Sequence, residues 1–139
     1  MNVGVIGAGR IGKVHAENLA LRIQETNVVA IADVVLSAAQ ETGARLNIPK
    51  VTADTLEVIQ SPDVDAVIIC SATDTHTEII IEAARAGKHI FCEKPIDLSL
   101  KRIDEALAAV EAAGVKLQIG FNRRFDPNFR RIRQAVEQG

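Results

Sequence analysis

The chain has 139 residues, 47% of them hydrophobic and 24% charged, with a formal net charge of −2 at pH 7. That length suits one domain with a sizeable core, the composition excludes a disordered chain, and so small a charge gives no field for DNA or RNA. The apolar runs are short and interrupted, and Met1 leads into the first of them without a charged leader, so a cytoplasmic protein with no membrane or nucleic-acid partner is expected.

The first run, Val3 to Ile6, reads as a strand and stops at Gly7-Ala8-Gly9-Arg10-Ile11-Gly12. Each glycine meets a separate demand. Gly7 makes the tight strand-to-helix turn, Gly9 lets a pyrophosphate approach bare backbone, and Gly12 lets the helix lie close on its strand. Free N–H groups and the positive end of the helix dipole then form an anion site without Lys or Arg. Alone the triplet also fits a methyltransferase loop, but its context argues for a dinucleotide. The helix pattern from Arg10 places Ile11, Val14, Leu19 and Ile23 near one face, and a second apolar run, Val28 to Ala32, ends at Asp33. Asp33 lies 21 positions past Gly12, where a carboxylate holds the adenosine ribose hydroxyls; its other reading is a cap for the next helix. Its charge opposes a 2′-phosphate, and Val34 and Val35 supply no cation to bind one, so NAD is favoured over NADP.

A helix over Ser37 to Leu46 follows, then a short strand around Val51 and a small helix, Thr55 to Gln60, capped by Asp54. Ala66 to Cys70 has no polar alternation, as in a strand covered on both faces. Ser71-Ala72-Thr73-Asp74-Thr75-His76 comes next, then a helix from Thr77 to Ala86 closed by Gly87, with Thr75 and Glu78 as a capping box. The strand His89 to Cys92 delivers Glu93-Lys94-Pro95. From Ser99 a helix carries Leu100, Ile103, Leu107 and Val110 on one stripe and ends at Gly114, before a strand from Val115 to Ile119 and Gly120. Asp126-Pro127 marks a last helix by cap and N1 proline. Strands and helices alternate throughout, so the fold class is α/β: a doubly wound parallel sheet of about six strands with helices on both faces.

Ligands of such sheets bind outside the carboxyl ends of the strands. Those ends carry Gly7 to Gly12, Asp33, Ser71 to His76, Glu93 to Pro95, and Gly120-Phe121-Asn122-Arg123. Pro95 biases Lys94 away from helical geometry and permits a cis bond, fixing the backbone at the strand exit. A lysine is too basic to serve unaided as a base near neutral pH, so Lys94 is expected to orient and polarise a substrate oxygen, with the proton acceptor elsewhere; its other reading is a surface lysine at a turn. His76 either contacts the nicotinamide ribose or bonds to its own loop. His15 and His89 read as structural, and Cys70 and Cys92 as small core hydrophobes, Cys92 with a reactive thiol as its other reading. No metal spacing appears among these histidines and cysteines. Arg123 and Arg124 lie near the cleft, and Arg130, Arg131 and Arg133 read as a solvated helix face.

In this order, Gly7 to Gly12, Asp33, Thr73 to His76, Glu93-Lys94-Pro95 and Gly120-Phe121-Asn122-Arg123-Arg124-Phe125 resemble the glucose-fructose oxidoreductase and inositol dehydrogenase family. The resemblance covers nearly the whole chain, and Gly120 to Pro127 looks most like the myo-inositol 2-dehydrogenase branch. It implies NAD-dependent oxidation of a secondary alcohol of a cyclic polyol or sugar, with Lys94 as the active-site lysine. The residues expected to meet NAD are Gly7, Ala8, Gly9, Arg10, Ile11 and Gly12 in the turn, Asp33, Ser71, Ala72, Thr73 and His76, then Glu93, Pro95, Asn122 and Arg123. The family pattern continues into a second, mostly antiparallel domain that supplies an Asp and a His, closes over substrate and builds a homo-oligomer. Residues 1–120 are accordingly expected to be the dinucleotide-binding domain and 121–139 a connecting segment and helix leading onward, so that this chain alone binds dinucleotide and turns over little or nothing. The rival reading is a non-catalytic NAD-sensing module of the same fold, which would have no use for Lys94.

Overall fold

The computed structural model describes all 139 residues. Six parallel strands, β1 (Asn2–Ile6), β2 (Asn27–Ala32), β3 (Lys50–Thr52), β4 (Ala66–Ile69), β5 (His89–Cys92) and β6 (Leu117–Ile119), form one sheet in the order β3-β2-β1-β4-β5-β6. The order reverses between β1 and β4, where the two crossovers diverge and leave a crevice at the carboxyl edge. Helices α1 (Arg10–Leu21), α2 (Leu36–Leu46), α3 (Thr55–Ile59), α4 (Thr73–Arg85) and α5 (Leu100–Ala113) connect the strands; a 3-10 turn (Asn122–Phe125) and α6 (Pro127–Gln138) follow β6. No helix is long and apolar enough to cross a membrane.

The core has two layers. One side of the sheet packs Val5, Val28 and Ile31 against Ala16 of α1 and Ala39 of α2. The other packs Ile6, Val67 and Ile69 against Val58 and Ile59 of α3, Ile80, Ala83 and Ala84 of α4, and Ala106 and Val110 of α5. Because β1 and β4 are covered on both faces, their sequences are apolar runs without alternation.

Three expectations need correction. The sheet-facing side of α1 is Gly12 and Ala16, with Leu19 packed on the same core as expected, while Ile11 and Val14 are exposed and Ile23 lies beyond the helix. At its first turns α1 lies too close to the sheet for branched side chains, so the smallest residues mark the contact there. In α5 Val110 is buried as expected, but Ala106 is buried beside it while Leu100 and Leu107 face outward. Helix α4 begins at Thr73, four residues before the expected start, with Ala72 as its N-cap. Thr75 therefore lies inside the first turn, where its hydroxyl donates to the Ala72 carbonyl at 2.7 Å, and there is no Thr75–Glu78 capping box. Elsewhere the elements agree closely, including the Asp54 cap on Leu56 N, the left-handed Gly114 ending α5, and the Asp126 cap on α6.

Candidate functional site

Gly7 closes β1 with φ +98°, a conformation that L side chains resist, and its N–H donates to the Ala32 carbonyl at 2.8 Å. A Cβ on Gly7 would meet the Cys70 carbonyl at 2.6 Å, and one on Gly12 would run into the carbonyl oxygen of Gly7. The turn and the helix thus interlock through absent side chains. Gly9 differs: nothing lies within 4 Å of where its Cβ would be, so its backbone faces open space. Helix α1 has no side-chain cap and no acid in its first turn. The N–H groups of Arg10, Ile11 and Gly12, which have no intrahelical acceptor, are thus left beneath that space. Helix α4, which starts at the same edge, is likewise uncapped by a side chain, as are α2 and α5, whereas α3 and α6 carry Asp caps. These features fit a dinucleotide pyrophosphate, whose negative charge the open backbone and helix dipole would stabilise.

Asp33 follows β2 beside the turn. Its carboxylate accepts the Ala8 N–H at 2.6 Å and the Val35 N–H at 2.8 Å, which fixes it against the glycine loop and outside α2, whose N-cap is Val35. Val34 and Val35 stand exposed next to it, with no cation between them.

Past the crevice, Ser71 donates to the Thr75 hydroxyl at 2.7 Å, since the Thr75 proton is already committed to Ala72. Ala72 is exposed and Thr73 half-buried at the start of α4. His76 is not on the open edge. Its ring is 2% exposed, with Nδ1 at 2.8 Å from the Pro95 carbonyl and Nε2 at 3.0 Å from the Ser71 carbonyl. Of its two readings, the geometry is that of a ring enclosed by and bonded to its surrounding loops, and a ribose contact would need a nitrogen turned away from these carbonyls. Thr77 repeats the connection, donating to Asp97 Oδ2 at 2.8 Å. The Ser99 N–H, together with the Thr77 hydroxyl, holds the Asp97 carboxyl below its ordinary range.

Lys94 and Pro95 follow β5 through a cis peptide bond, both exposed. Lys94 lines a shallow cavity of about 380 Å³ with Phe121, Asn122, Arg123 and Arg124. The Arg123 guanidinium lies over the Phe129 ring at 4.5 Å. A larger hollow of about 700 Å³ lies between the 3-10 turn and α6, away from the glycine turn.

Glu93 is placed differently from a simple ligand contact. Its Oε1 lies 2.8 Å from His15 Nε2, and its carboxyl atoms lie 3.1 Å from where a Gly120 Cβ would stand. Sequence reasoning left His15 unpaired, although its position three residues past Gly12 placed it on the sheet side of α1. Cys70 and Cys92 are buried and free, and burial pushes both thiols up to about 12, which leaves Cys92 no reactive thiolate near neutral pH.

The model for an oxidoreductase family with an NAD-binding Rossmann fold matches residues 1–121. The chain is 47% identical over its full length to a myo-inositol 2-dehydrogenase of Thermotoga maritima, of which it covers 41%. It is 46% identical over 98% of its length to an inositol 2-dehydrogenase of Rhizobium meliloti, covering 40% of that protein. A scyllo-inositol dehydrogenase of Lactobacillus casei, solved with NAD(H) and scyllo-inositol, superposes on the whole chain with a TM-score of 0.93 at 37% identity, the chain spanning 41% of it. The chain thus spans about two fifths of the length of the curated relatives it matches.

Proposed function

The chain belongs to the Gfo/Idh/MocA oxidoreductase family as its NAD-binding Rossmann domain, and from that premise we propose that it is the cofactor half of a cytoplasmic polyol dehydrogenase acting on inositol. Bound NAD would supply the hydride acceptor. The observation that carries the reading is the sharing of one sheet edge by the open turn at Gly9 and an exposed lysine at the exit of β5. The first turn of α1 holds the pyrophosphate, Asp33 receives the adenosine ribose and excludes a 2′-phosphate, and Ser71, Ala72, Thr73 and Pro95 border the path toward Lys94. Lys94 orients and polarises the reacting hydroxyl. Asn122 and Arg123 close the far side of the cavity.

The apolar residues of α6 and of the turn before it support a further domain. Phe125 of the 3-10 turn and Phe129, Ile132 and Val136 of α6 recur at spacings of four, three and four, and all are exposed. Such a stripe is expected to pack on additional chain, as do the amphipathic helices of globular proteins. In this reading residues 1–120 form the dinucleotide domain, 121–139 lead to the part that completes the substrate site, and the assembled protein is a homo-oligomer.

A direct test is NAD reduction by the longer protein carrying this chain, with myo-inositol and then scyllo-inositol as substrates. Turnover with NAD, weak turnover with NADP and loss of most activity in Lys94→Ala are expected, while the 139-residue chain alone binds NAD with little or no turnover. NAD binding with no alcohol oxidised and no effect of Lys94→Ala would favour the sensing module instead.

A further inference from the structure

The side chain of Lys94 is exposed, so what fixes its position is the backbone on either side of it. Both of its neighbours are held by histidines from different helices. Pro95 offers its carbonyl to His76 of α4 at 2.8 Å, and Glu93 places its carboxylate 2.8 Å from His15 of α1. The second hold is the more informative, because α1 is the helix whose first turn forms the anion site.

His15 and Glu93 are each largely enclosed, with side chains 26% and 18% exposed. The His15 ring also tilts against Phe91 with centroids 5.1 Å apart, and the Glu93 N–H donates to the Ile69 carbonyl at 2.9 Å. On the remaining side the carboxylate rests on Gly120, where a methyl group would crowd it at 3.1 Å, and the Gly120 N–H donates to the Cys92 carbonyl at 2.8 Å. One carboxylate therefore touches α1 and the exit of β6 while its backbone continues into Lys94. Rotation of the corner would break its bond to His15 or drive it into Gly120.

We propose that His15 and Glu93 are positioning residues which lock the Lys94 corner to the cofactor helix, so that the lysine and the bound dinucleotide keep a fixed separation. This rests on the assignment of Lys94 to the polyol site. The physical requirement is strict, since a displacement of about 1 Å between reacting groups can cost on the order of a hundredfold in rate. Neither residue has to touch cofactor or substrate for this effect. The role also fits Gly120, because a Cβ there would crowd the Glu93 carboxylate and press on its contact with His15.

The test uses the longer protein carrying this chain and compares His15→Ala, His15→Gln, Glu93→Ala, the double variant His15→Ala with Glu93→Ala, and Lys94→Ala. The expected result for His15→Ala and Glu93→Ala is a fall in kcat of about 10- to 100-fold. NADH affinity, followed by fluorescence titration, should stay within about twofold. The double variant should be no worse than the poorer single one, because each single change already removes the one contact, and His15→Gln, which keeps a donor, should recover part of the loss. A kcat equal to wild type in His15→Ala and Glu93→Ala, with Lys94→Ala inactive, would overturn the positioning role alone. Parallel losses of kcat and NADH affinity would overturn it too, as damage to the cofactor site. Retention of full turnover in Lys94→Ala would remove the assignment of Lys94 and the positioning role with it.

Discussion

Helices α1 and α6 have the same length, 12 residues each, and opposite relations to the rest of the molecule. Helix α1 buries Gly12 and Ala16 against the sheet and turns Ile11 and Val14 outward. Helix α6 has the more regular apolar stripe and buries none of its residues. Large apolar side chains are therefore poor guides to contact here. Where two backbones must approach closely, as at a phosphate-binding turn, the contact is made by the residues with least side chain. Where a broad surface is to be covered, the large residues line up and wait for a partner.

The greatest effect should come from breaking the close approach. In Gly12→Val the new Cβ runs into the Gly7 carbonyl, with Cys70 on its other flank, so neither the turn nor the helix has room to yield. A loss of about 3 kcal/mol or more is expected for a rigid overpacked contact of this kind, together with loss of NAD binding. Thermal unfolding and NADH titration check both. Gly9→Ala is the control, since its Cβ meets nothing within 4 Å: the fold should be nearly unchanged while affinity drops, because the methyl group occupies the space left for the pyrophosphate.

The contrast also explains which parts of the molecule were legible in the sequence. The alternation of strands and helices, the glycine turn, Asp33 at the end of β2 and the Glu93-Lys94-Pro95 exit follow from apolar runs punctuated by turn residues, which are local signals, whereas the order of the strands in the sheet is not. The misread features are relational. The start of α4 at Thr73 was obscured because Thr75 and Glu78 match a capping box, while the extended backbone of Ala72 and the bonds of His76 to two loops decide the boundary. The pairing of His15 with Glu93 joins residues 78 positions apart, and no local spacing announces it. Likewise the burial of His76 depends on the Pro95 carbonyl, which the fold brings to α4.

A second variant separates the two helices by context. Ile132→Glu lies on the stripe of α6, where Ile132 is 59% exposed. In the 139-residue chain the change should alter stability by no more than about 0.5 kcal/mol, as for other surface positions. In the longer protein it should cost about 1.5–3 kcal/mol, the value of a large aliphatic side chain removed from water. Equal, negligible effects in both would mean that α6 stays uncovered, and the two-domain reading would lose its structural support.

The smallest effect concerns thiols, which report how firmly each helix is closed over its surroundings. Cys70 lies beneath the α1 turn, and burial, with the Glu93 charge adding to it, pushes its thiol from an ordinary 9.0 up to about 12. The unfolded chain releases the Cys70 proton near pH 9 and the folded chain only near 12, so between these values the unfolded state binds fewer protons and stability falls as pH rises. Cys92 adds a change of the same sign. Below pH 9 neither thiol contributes to the slope. Iodoacetamide at pH 8 should therefore leave Cys70 and Cys92 unmodified in the folded chain, with mass spectrometry as the readout, and modify them on unfolding. A third thiol introduced by Val136→Cys, at a position 77% exposed on α6, should react at the rate of a free thiol in this chain and be protected in the longer protein. Modification of Cys70 at the rate of that surface thiol would show that the α1 seam opens readily, and the rigidity assigned to the glycine contact would be wrong.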